Sequence, residues 1–490
     1  MQLKDLLNGI EIVDTNIDLN IICSKISSDS RKTIKNGIFV AIRGTIEDGN
    51  QYINDALKNG VIAVVTDSET ICNEKIPFIL VNDSRNALAK MWSNYYHNPT
   101  QRMKIIAVTG TNGKTTSAYL IYNILKASKK SCALISTIDV LINDEKIEIG
   151  GGSEITGKKS AMTTPDPEIL YDLFDKMRTK KIEYVVMEAS SHALEQNKLS
   201  GCNIEIGIFT NLSHDHLDFH KDMSSYFSAK EKLFKVCKLG IVNVDDKYGQ
   251  ILTNRYRGRI ITYSCKDTAD LYVIESKKSG YGNKFTICNG NNQILIESRL
   301  VGGFNIYNCL CAILCADSLG LPMKYIKNGI KNTKCIKGRL EKYKKRRIYI
   351  DYAHTPEAME CVINEIRGIY PKNKLIVVFG CGGDRDKEKR PKMGRIATEK
   401  ADLTIITSDN SRSENQQEIF ADILKGIDKD SNYHLIEDRE KAIKCGVDAM
   451  KRNGVLLLLG KGHETYQIDK KGKNSFDERL ILDKILKHDK

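Results

Sequence analysis

The chain has 490 residues and a formal net charge of +13, with 75 Lys and Arg against 62 Asp and Glu. Because single hydrophobic cores stop growing near about 250–300 residues, this length predicts about three domains. The densest basic cluster, residues 342–347, is short, and the other basic residues are dispersed among acidic ones. This charge pattern argues against nucleic-acid binding and favours small anionic ligands.

Cysteine usage and apolar runs indicate the cellular setting. Fourteen cysteines are scattered rather than paired at short spacings, and the N-terminal segment is charged early and lacks the apolar core of a signal peptide. We therefore expect a cytoplasmic protein in a reducing compartment. The strongest apolar run, residues 454–460, is far shorter than the roughly 20 residues that cross a bilayer, so we expect no membrane insertion. We also expect a monomer.

Short β-like runs alternate with helical patterns along almost the whole chain. The runs cover residues 39–43, 62–66, 78–81, 104–109, 131–136, 184–188, 206–210, 239–243, 348–351, 374–379, 403–407 and 455–460. This alternation predicts an α/β fold with mostly parallel sheets, in which ligand sites lie at the carboxyl ends of strands. Polar segments near 95–102 and 332–339 predict three domains, at residues 1–98, 99–335 and 336–490.

Residues 109–116 read Thr-Gly-Thr-Asn-Gly-Lys-Thr-Thr and lie between an apolar run and a helical pattern from about 117 to 127. Such a turn directs backbone N–H groups, a helix dipole and Lys114 to one point, which suits a nucleoside triphosphate. Gly113 allows close approach to phosphate, and Thr115 or Thr116 offers a hydroxyl to Mg²⁺. The first glycine of the strict pattern is replaced by Val108, so the loop is a shortened variant. It predicts use of ATP or GTP.

Two further segments carry metal-binding chemistry. Glu188 ends an apolar run, where a Mg²⁺ ligand is expected, although a solvated strand-end carboxylate is the alternative. Residues 210–220 hold three histidines and two aspartates; these could form a zinc site, but one histidine among oxygen ligands better suits Mg²⁺ beside a nucleotide. Cys309, Cys311 and Cys315 lie on an apolar helical pattern, which predicts buried thiols rather than a metal cluster.

Several motifs, taken together, carry a resemblance to a known family. They are Gly-Thr-Asn-Gly-Lys-Thr-Thr at 110–116, Glu-Ala-Ser-Ser-His at 188–192, Thr-Asn-Leu-Ser at 210–213, Asp-His-Leu-Asp at 215–218, Gly-Phe-Asn-Ile-Tyr-Asn at 303–308, Gly-Arg-Leu-Glu at 338–341, Asp-Tyr-Ala-His-Thr-Pro at 351–356, Gly-Cys-Gly-Gly-Asp-Arg-Asp at 380–386 and Gly-Lys-Gly-His-Glu at 460–464. In this order they resemble the Mur ligase family, and within it the branch that adds the third residue of the peptidoglycan stem peptide.

The resemblance implies an architecture and an activity. It implies a small N-terminal α/β domain that binds a UDP-sugar, a central ATP-binding domain with a P-loop-type, mostly parallel sheet, and a Rossmann-like C-terminal α/β domain that binds an amino acid. The implied reaction is ATP-dependent addition of meso-diaminopimelate to the D-glutamate γ-carboxylate of UDP-N-acetylmuramoyl-L-Ala-D-Glu through an acyl phosphate. That step belongs to cell wall biogenesis, and hence to cell shape and division.

The resemblance also implies the residues that bind ATP and Mg²⁺. The ATP set is Gly110, Thr111, Asn112, Gly113, Lys114, Thr115, Thr116, Asn305, Arg339, Asp351 and His354. The Mg²⁺ ligands are Thr115, Glu188, His216 and, if carbamylated, Lys230, and Lys114, Lys230, Glu188 and His216 form the catalytic set. A carbamate would make Lys230 an anionic oxygen ligand, whereas sequence chemistry alone favours an ordinary surface lysine on a helix.

The two remaining substrates are assigned by the same resemblance. The nucleotide-sugar set is Ser28, Ser30, Thr45, Ile46, Glu47, Thr163, Thr164, Ser190, Gln196 and Lys198, and the amino-acid set is Arg385, Asp409, Asn410, Ser411, Arg412, Gly460 and Glu464. Lys198 replaces a frequent arginine and offers a point charge instead of a fork. Ser411 replaces the proline of the family motif, which removes a fixed φ from the turn that aims Arg412.

Arg412 favours diaminopimelate because an arginine suits a distal carboxylate, while Asp409 and Glu464 suit ammonium groups. The alternatives are an L-lysine-adding or folylpolyglutamate-type ligase of the same superfamily, a P-loop NTPase that acts as a switch or motor, and a non-enzymatic basic binding protein. The nucleotide-sugar contacts and Arg412 argue against the other ligases. The shortened loop and the Gly-Lys-Gly-His-Glu segment argue against the NTPase.

Overall fold

The computed structural model describes residues 1–44, 47–72, 75–148, 163–290, 292–451 and 453–487. The strands, in chain order, are β1 (Ile12–Thr15), β2 (Ile26–Ser27), β3 (Ile38–Val40), β4 (Ala63–Thr66), β5 (Phe78–Val81), β6 (Lys104–Thr109), β7 (Cys132–Ile135), β8 (Val140–Ile142), β9 (Glu145–Lys146), β10 (Tyr184–Glu188), β11 (Ile204–Phe209), β12 (Leu239–Asn243), β13 (Ile260–Ser264), β14 (Leu271–Ser279), β15 (Gly282–Asn289), β16 (Asn292–Ser298), β17 (Glu341–Lys342), β18 (Ile348–Asp351), β19 (Lys374–Phe379), β20 (Leu403–Ile406), β21 (Tyr433–Leu435), β22 (Gly454–Leu459), β23 (Tyr466–Asp469) and β24 (Gly472–Ser475).

The helices alternate with these strands. They are α1 (Leu3–Leu6), α2 (Ile53–Lys58), α3 (Ser84–Tyr95), α4 (Lys114–Ala127), α5 (Pro167–Thr179), α6 (Ser191–Glu195), α7 (Leu217–His220), α8 (Met223–Val236), α9 (Lys247–Arg255), α10 (Phe304–Ser318), α11 (Met323–Asn332), α12 (Pro356–Ile369), α13 (Lys389–Lys400), α14 (Gln416–Leu424), α15 (Arg439–Met450) and α16 (Glu478–Lys487). Among the described residues, no helix is both long and apolar enough to cross a membrane.

The chain divides into two compact units. Unit 1 comprises Met1–Thr109, Lys130–Ile208 and Phe227–Gly240, and unit 2 comprises Gly110–Lys129, Phe209–Tyr226 and Ile241–Lys490. The division into three domains at residues 98 and 335 stays a prediction.

Unit 1 holds a five-stranded sheet in the order β1-β5-β4-β3-β2, parallel except for β1. It also holds β10 between β6 and β7, parallel to both, with Glu188 opposite Val108. Every residue of β10 is buried, which is typical of a parallel strand covered on both faces. Glu188 therefore lies at the carboxyl edge of these strands.

Unit 2 holds a six-stranded sheet in the order β17-β18-β22-β19-β20-β21, parallel except for β17. Alternate residues of β19 enter opposite cores: Val377 and Phe379 pack with α12, α13 and α14, whereas Ile376 and Val378 pack with α15 and α16. Helices thus cover both faces, because each face of the sheet is apolar. The α/β fold with mostly parallel sheets is confirmed.

Each predicted strand occurs, with bounds within two residues of the observed ones, except that β3 ends at Val40 and not at Arg43. The predicted helix start near residue 117 was wrong: α4 begins at Lys114, because Gly113 adopts a left-handed φ of 86° and serves as its N-cap. The antiparallel β14, β15 and β16 were missed, among other strands, because polar residues interrupt or follow their short apolar stretches. Cys309, Cys311 and Cys315 are buried on α10, as predicted.

Candidate active site

The loop before α4 is shaped by two glycines. Gly110 and Gly113 have φ angles of 148° and 86°. A Cβ on Gly110 would lie 1.9 Å from the hydroxyl oxygen of Thr210, and one on Gly113 would lie 2.5 Å from the amide oxygen of Asn308. Any side chain at either position would collide with a neighbour as well as strain the backbone. The loop therefore requires glycine at both positions.

The segment that follows β11 braces this loop. The Thr210 hydroxyl donates to the Asn112 carbonyl at 2.6 Å, and the Asn112 N–H donates to the side-chain oxygen of Asn211 at 2.9 Å. The Thr111 hydroxyl accepts from the Ser213 N–H at 3.0 Å and lies 3.2 Å from the Tyr226 hydroxyl. These contacts hold Thr111 and Asn112 in place, so the shape of the loop is fixed before an anion binds.

Cationic side chains converge on the start of α4. The Lys114 ammonium donates to the carbonyls of Gly110 and Thr111, both at 2.8 Å. The Arg339 guanidinium donates to the Thr115 hydroxyl at 3.1 Å and lies 4.9 Å from the centre of the Tyr352 ring. Unit 2 thus brings the predicted ATP residues Lys114, Thr115 and Arg339 together, although Arg339 is 224 positions from Thr115.

Asp351 and His354 lie where β18 ends. The Asp351 carboxylate accepts from the backbone N–H groups of Leu340 at 2.6 Å and Ala353 at 2.7 Å. Burial raises the pKa of Asp351, against the opposing charge of Arg339. Burial, with the nearby charge of Lys389, lowers the pKa of His354, and its Nδ1 lies 2.9 Å from the Tyr352 carbonyl. Asp351 therefore holds the turn, and His354 is neutral at pH 7.

The side-chain amide of Asn305 makes hydrogen bonds at the start of helix α10. Its nitrogen donates to the Val301 carbonyl at 2.7 Å, and its oxygen accepts from Asn308 at 2.9 Å. Asn308 in turn accepts from the Ser117 hydroxyl at 3.2 Å, which ties α10 to α4. Asn305 is 2% exposed, so its side chain is part of the scaffold beside the loop. The remaining loop threonine, Thr116, is also buried.

His216 lies in the short turn before α7 with a left-handed φ of 52°. Its Nε2 is 3.5 Å from the Asp215 carboxylate. Burial raises the pKa of Asp215, but electrostatic interactions, the largest with His216, outweigh it and leave that pKa below its usual value. Asp215 is therefore an ionised group within the field of Lys114.

Glu188 is fully buried in unit 1. Its carboxylate accepts from the N–H of Thr137 at 2.8 Å and from the Thr137 hydroxyl at 3.2 Å. The alternative interpretation of Glu188 as a solvated strand-end carboxylate is therefore wrong. A buried carboxylate must be compensated by hydrogen-bond donors or a cation, and Thr137 supplies two donors. Thr137 was not predicted, and no motif in the sequence marks it.

Only some of the predicted nucleotide-sugar residues of unit 1 lie beside Glu188. The Thr164 hydroxyl donates to the Glu188 carbonyl at 2.9 Å and lies 3.3 Å from the Ser190 hydroxyl, and the hydroxyls of Thr163 and Thr137 are 3.1 Å apart. Ser190 caps α6 by accepting from the Ala193 N–H at 3.2 Å. These threonines and the serine share one polar network.

Lys198 and Gln196 follow α6. The Lys198 ammonium lies 2.7 Å from the Asp166 carboxylate, and its side chain is only 7% exposed. Gln196 is partly buried at the C-cap of the helix. In the N-terminal sheet region, Ser28 and Glu47 are exposed and Ser30 begins a short 3₁₀ helix. Thr45 and Ile46 lie outside the described residues.

Lys230 lies inside α8 with 1% of its surface exposed. The interpretation as an ordinary surface lysine is therefore wrong.

Across the described ranges, no group of three or more His, Cys, Asp or Glu side chains could hold a metal ion. The hydroxyl of Thr115 and the carboxylate of Glu188 are oxygen donors, which Mg²⁺ prefers over nitrogen or sulfur.

The predicted amino-acid residues meet at the carboxyl edge of the sheet in unit 2. Asn410 donates to the Glu464 carboxylate at 2.9 Å, and the fully buried Lys461 ammonium donates to Asn410 and Glu464, both at 2.8 Å. Burial raises the pKa of Asp409, but the charges of Lys461 and Arg439 outweigh it, so that pKa is lowered. Asp409 is thus ionised beside Gly460, whose Cβ would lie 2.6 Å from it.

Arg412 and Arg385 border this cluster. The Arg412 guanidinium donates to the Gly383 carbonyl at 2.6 Å and to the Asn410 carbonyl at 3.3 Å, and the residue has a left-handed φ of 51°. The Ser411 carbonyl would lie 2.0 Å from a Cβ on Gly383, so the two turns are in close contact. Arg385 is exposed, and its guanidinium donates to the Asp384 carbonyl at 3.3 Å.

Sequence reasoning missed Lys461, Arg439 and Tyr352 as site residues. Lys461 and Tyr352 lie inside motifs that were recognised, at 460–464 and 351–356, so their places in those motifs were the available signal. Arg439 carried no signal, because it lies at the start of a helix outside every quoted motif. Their burial is a consequence of the tertiary structure.

Comparison with known proteins gives two family matches. The Mur ligase middle domain matches residues 108–316, and the Mur ligase glutamate ligase domain matches residues 338–462. The chain is 40% identical over 494 residues to UDP-N-acetylmuramoyl-L-alanyl-D-glutamate–2,6-diaminopimelate ligase of Caldanaerobacter subterraneus subsp. tengcongensis, with 99% of each chain covered. It is 38% identical over 494 residues to the protein of the same name from Clostridioides difficile, again with 99% of each covered.

Solved structures give the same likeness. A structure titled as a UDP-N-acetylmuramoyl-L-alanyl-D-glutamate–2,6-diaminopimelate ligase has a TM-score of 0.70 and 29% identity, and covers 100% of this chain and 99% of its own. MurF of Acinetobacter baumannii has a TM-score of 0.61 at 16% identity, over 99% of this chain and 98% of its own, which is a likeness of fold alone.

Proposed function

Because this chain belongs to the Mur ligase family and is therefore a ligase, we propose that it adds meso-diaminopimelate to UDP-N-acetylmuramoyl-L-alanyl-D-glutamate at the expense of ATP. The relatives with 38–40% identity over nearly their whole length carry that name, which supports the proposal. The reaction belongs to peptidoglycan synthesis.

One observation carries the choice of acceptor: the strand-end cluster of unit 2 combines two carboxylates with an arginine. Asp409 is buried and has a lowered pKa, Glu464 is fixed by Lys461 and Asn410, and Arg412 lies on the same turn as Asp409. Carboxylates of this kind bind ammonium groups, and an arginine fork binds a carboxylate. Diaminopimelate carries both kinds of group at each end, whereas lysine lacks the distal carboxylate.

The loop at 110–116 supports the activation step. The D-glutamate γ-carboxylate attacks the γ-phosphorus of ATP to form an acyl phosphate and ADP, and the amine of the acceptor then displaces phosphate to form the amide. Lys114, Arg339 and the backbone N–H groups of the loop stabilise the charge that develops on the phosphate oxygens. His354, neutral at pH 7, adds no positive charge there.

The Mg²⁺ ligands stay a proposal. Thr115, Glu188 and His216 offer oxygen and imidazole donors, and Lys230 would offer carbamate oxygens. Lys230 is 1% exposed, and a carbamate on its side-chain nitrogen would replace a positive charge with oxygen donors of the kind that Mg²⁺ prefers. Mg²⁺ would supply positive charge to the triphosphate.

The proposal is tested by release of phosphate from ATP by the purified protein with Mg²⁺ and the UDP-muramoyl dipeptide. We expect release only when an amino acid is added, and a kcat/KM for meso-diaminopimelate at least about 100-fold above that for L-lysine, because loss of one bidentate charged pair costs about 3 kcal/mol. Equal turnover with L-lysine would support the lysine-adding alternative, and release without any acceptor would support the NTPase.

A matched pair of variants sharpens this test. Arg412→Lys keeps the charge and loses the fork, so it should raise the KM for meso-diaminopimelate roughly tenfold and leave the KM for ATP within a factor of about two. Arg395→Lys, an exposed position on α13, should change neither value. An Arg412→Lys enzyme with an unchanged preference would contradict the assignment of this arginine.

A further inference from the structure

Arg439 joins the ends of two strands that carry predicted amino-acid residues. It is the first residue of α15, and its side chain is fully buried. Its guanidinium donates to the Leu459 carbonyl at 2.7 Å and to the Ser408 carbonyl at 3.1 Å. These carbonyls come one residue before Gly460 and Asp409, and β19 separates the two strands in the sheet. The Arg439 side chain thus bridges the ends of β22 and β20 across the strand between them.

The guanidinium is itself held by α16. The Glu478 carboxylate accepts from the Arg439 Nε at 3.0 Å and from its Nη2 at 2.8 Å, and Glu478 is 1% exposed. A buried arginine with two donors on one carboxylate oxygen and two others on carbonyls has little freedom to move. The Asp409 carboxylate lies 4.0 Å from Nη1.

The arrangement couples the position of Asp409 to Gly460. The Asp409 carboxylate lies so close to Gly460 that a Cβ there would meet it at 2.6 Å. Since Arg439 binds the residue before each of them, a displacement of the guanidinium would shift both. The charge of Arg439 also contributes to the lowered pKa of Asp409, after that of Lys461.

We propose that Arg439, held by Glu478, is a positioning residue that sets the affinity for the acceptor amino acid by fixing Asp409 and Gly460. This inference rests on the proposed function, because it assumes that Asp409 and Gly460 contact the acceptor. Arg439 acts through these residues and through the strand ends, without touching substrate. It ties a helix on one face of the sheet to the substrate edge.

The test compares three variants of the full chain. Arg439→Lys keeps the charge but cannot reach two carbonyls and a carboxylate together, so the KM for meso-diaminopimelate should rise roughly tenfold or more, with the KM for ATP and for the UDP-muramoyl dipeptide within about twofold. Glu478→Gln keeps an acceptor oxygen for Arg439 and should raise the same KM by a smaller factor. Both effects concern one substrate only, which a general loss of folding would not produce.

Arg367→Lys is the matched control. Arg367 also pairs with a carboxylate, Asp402 at 2.8 Å, and donates to two carbonyls, those of Asn373 and Lys400, but at the amino ends of β19 and β20. It should leave every KM within about twofold. If wild-type protein releases phosphate with the amino acid and Arg439→Lys and Glu478→Gln leave the acceptor KM unchanged, or all KM values move together, the inference is wrong.

The outcomes also separate the inference from the proposed function. Wild-type protein that shows no acceptor-dependent phosphate release would overturn the proposed function and the inference with it. If Arg439→Lys does not fold, Glu478→Gln decides alone, because its side chain is isosteric with glutamate. A rise in the acceptor KM confined to the Arg439 and Glu478 variants supports the inference.

Discussion

The loop at 110–116 needs glycine at particular positions, both because the backbone has a positive φ there and because a side chain would collide with a neighbour. At Gly113 a Cβ would lie 2.5 Å from the Asn308 amide oxygen, and the φ of 86° already disfavours any other residue. Gly320, at the end of α10, has a φ of 73° and no neighbour within 4 Å of a Cβ. A comparison of alanine substitutions at these two positions separates the free-energy cost of a positive φ from the cost of a steric contact.

We expect Gly113→Ala and Gly320→Ala each to lower the free energy of unfolding by about 1–2 kcal/mol, because both place a side chain at positive φ. Gly113→Ala should in addition displace Asn308 and raise the KM for ATP roughly tenfold, whereas Gly320→Ala should leave that KM unchanged. Urea unfolding and steady-state kinetics measure the two effects. Equal KM values for the two variants would show that the contact with Asn308 does not shape the loop.

Helix α9 shows how an element far from the nucleotide loop supports it. Asp246 caps the helix by accepting from the Tyr248 N–H at 2.8 Å through one carboxylate oxygen. Its other oxygen accepts from the Leu212 N–H at 2.9 Å, inside the segment that braces the loop. The cap of one helix therefore also fixes the position of a strand-end segment.

Asp246→Ala should lose both bonds and cost about 2 kcal/mol of unfolding free energy, at about 1 kcal/mol for each. Asp246→Asn keeps a side-chain oxygen for the cap but presents an N–H₂ to Leu212, so the difference between wild type and Asp246→Asn reports the Leu212 bond, and the difference between the two variants reports the cap. Thermal and urea unfolding provide the values. An Asp246→Asn variant as stable as wild type would mean that the Leu212 bond contributes nothing.

At the scale of the whole molecule, the formal net charge of +13 bears on encounter with anionic substrates. ATP and the UDP-muramoyl dipeptide carry several negative charges, while diaminopimelate has no net charge at pH 7. Positive potential raises the rate of encounter with anions, and salt screens it over about 10 Å at 0.1 M. Charge should thus affect the substrates differently.

We expect the kcat/KM for ATP to fall severalfold between about 0.05 M and 0.5 M ionic strength, at constant kcat. The kcat/KM for meso-diaminopimelate serves as the internal control and should change by less than about twofold. Initial rates in NaCl, repeated in potassium acetate to separate ion-specific effects, measure both. If kcat/KM fell equally for both substrates, the salt effect would come from a change in the folded protein and not from electrostatic steering.

Much of the fold follows from local sequence patterns. The apolar runs of β6, β10, β18 and β19 were predicted at their observed bounds, because strands buried on both faces are continuous apolar runs. The order of strand, glycine turn and helix over residues 104–127 was also predicted, although the helix begins at Lys114 and not near residue 117. The antiparallel β14–β16 were missed because their apolar stretches are short and interrupted or followed by polar residues, so no long apolar run marks them.

The sequence by itself determined the α/β class, the nucleotide loop and the motifs that place the chain in its family, since each is a contiguous pattern whose chemistry is local. Only the tertiary structure decided that Lys230 is buried, that Arg339 reaches Thr115, and that Arg439 joins Ser408, Leu459 and Glu478. These contacts link positions between 20 and 224 residues apart. No periodicity encodes them, because they arise where parallel strands from distant segments end at one edge.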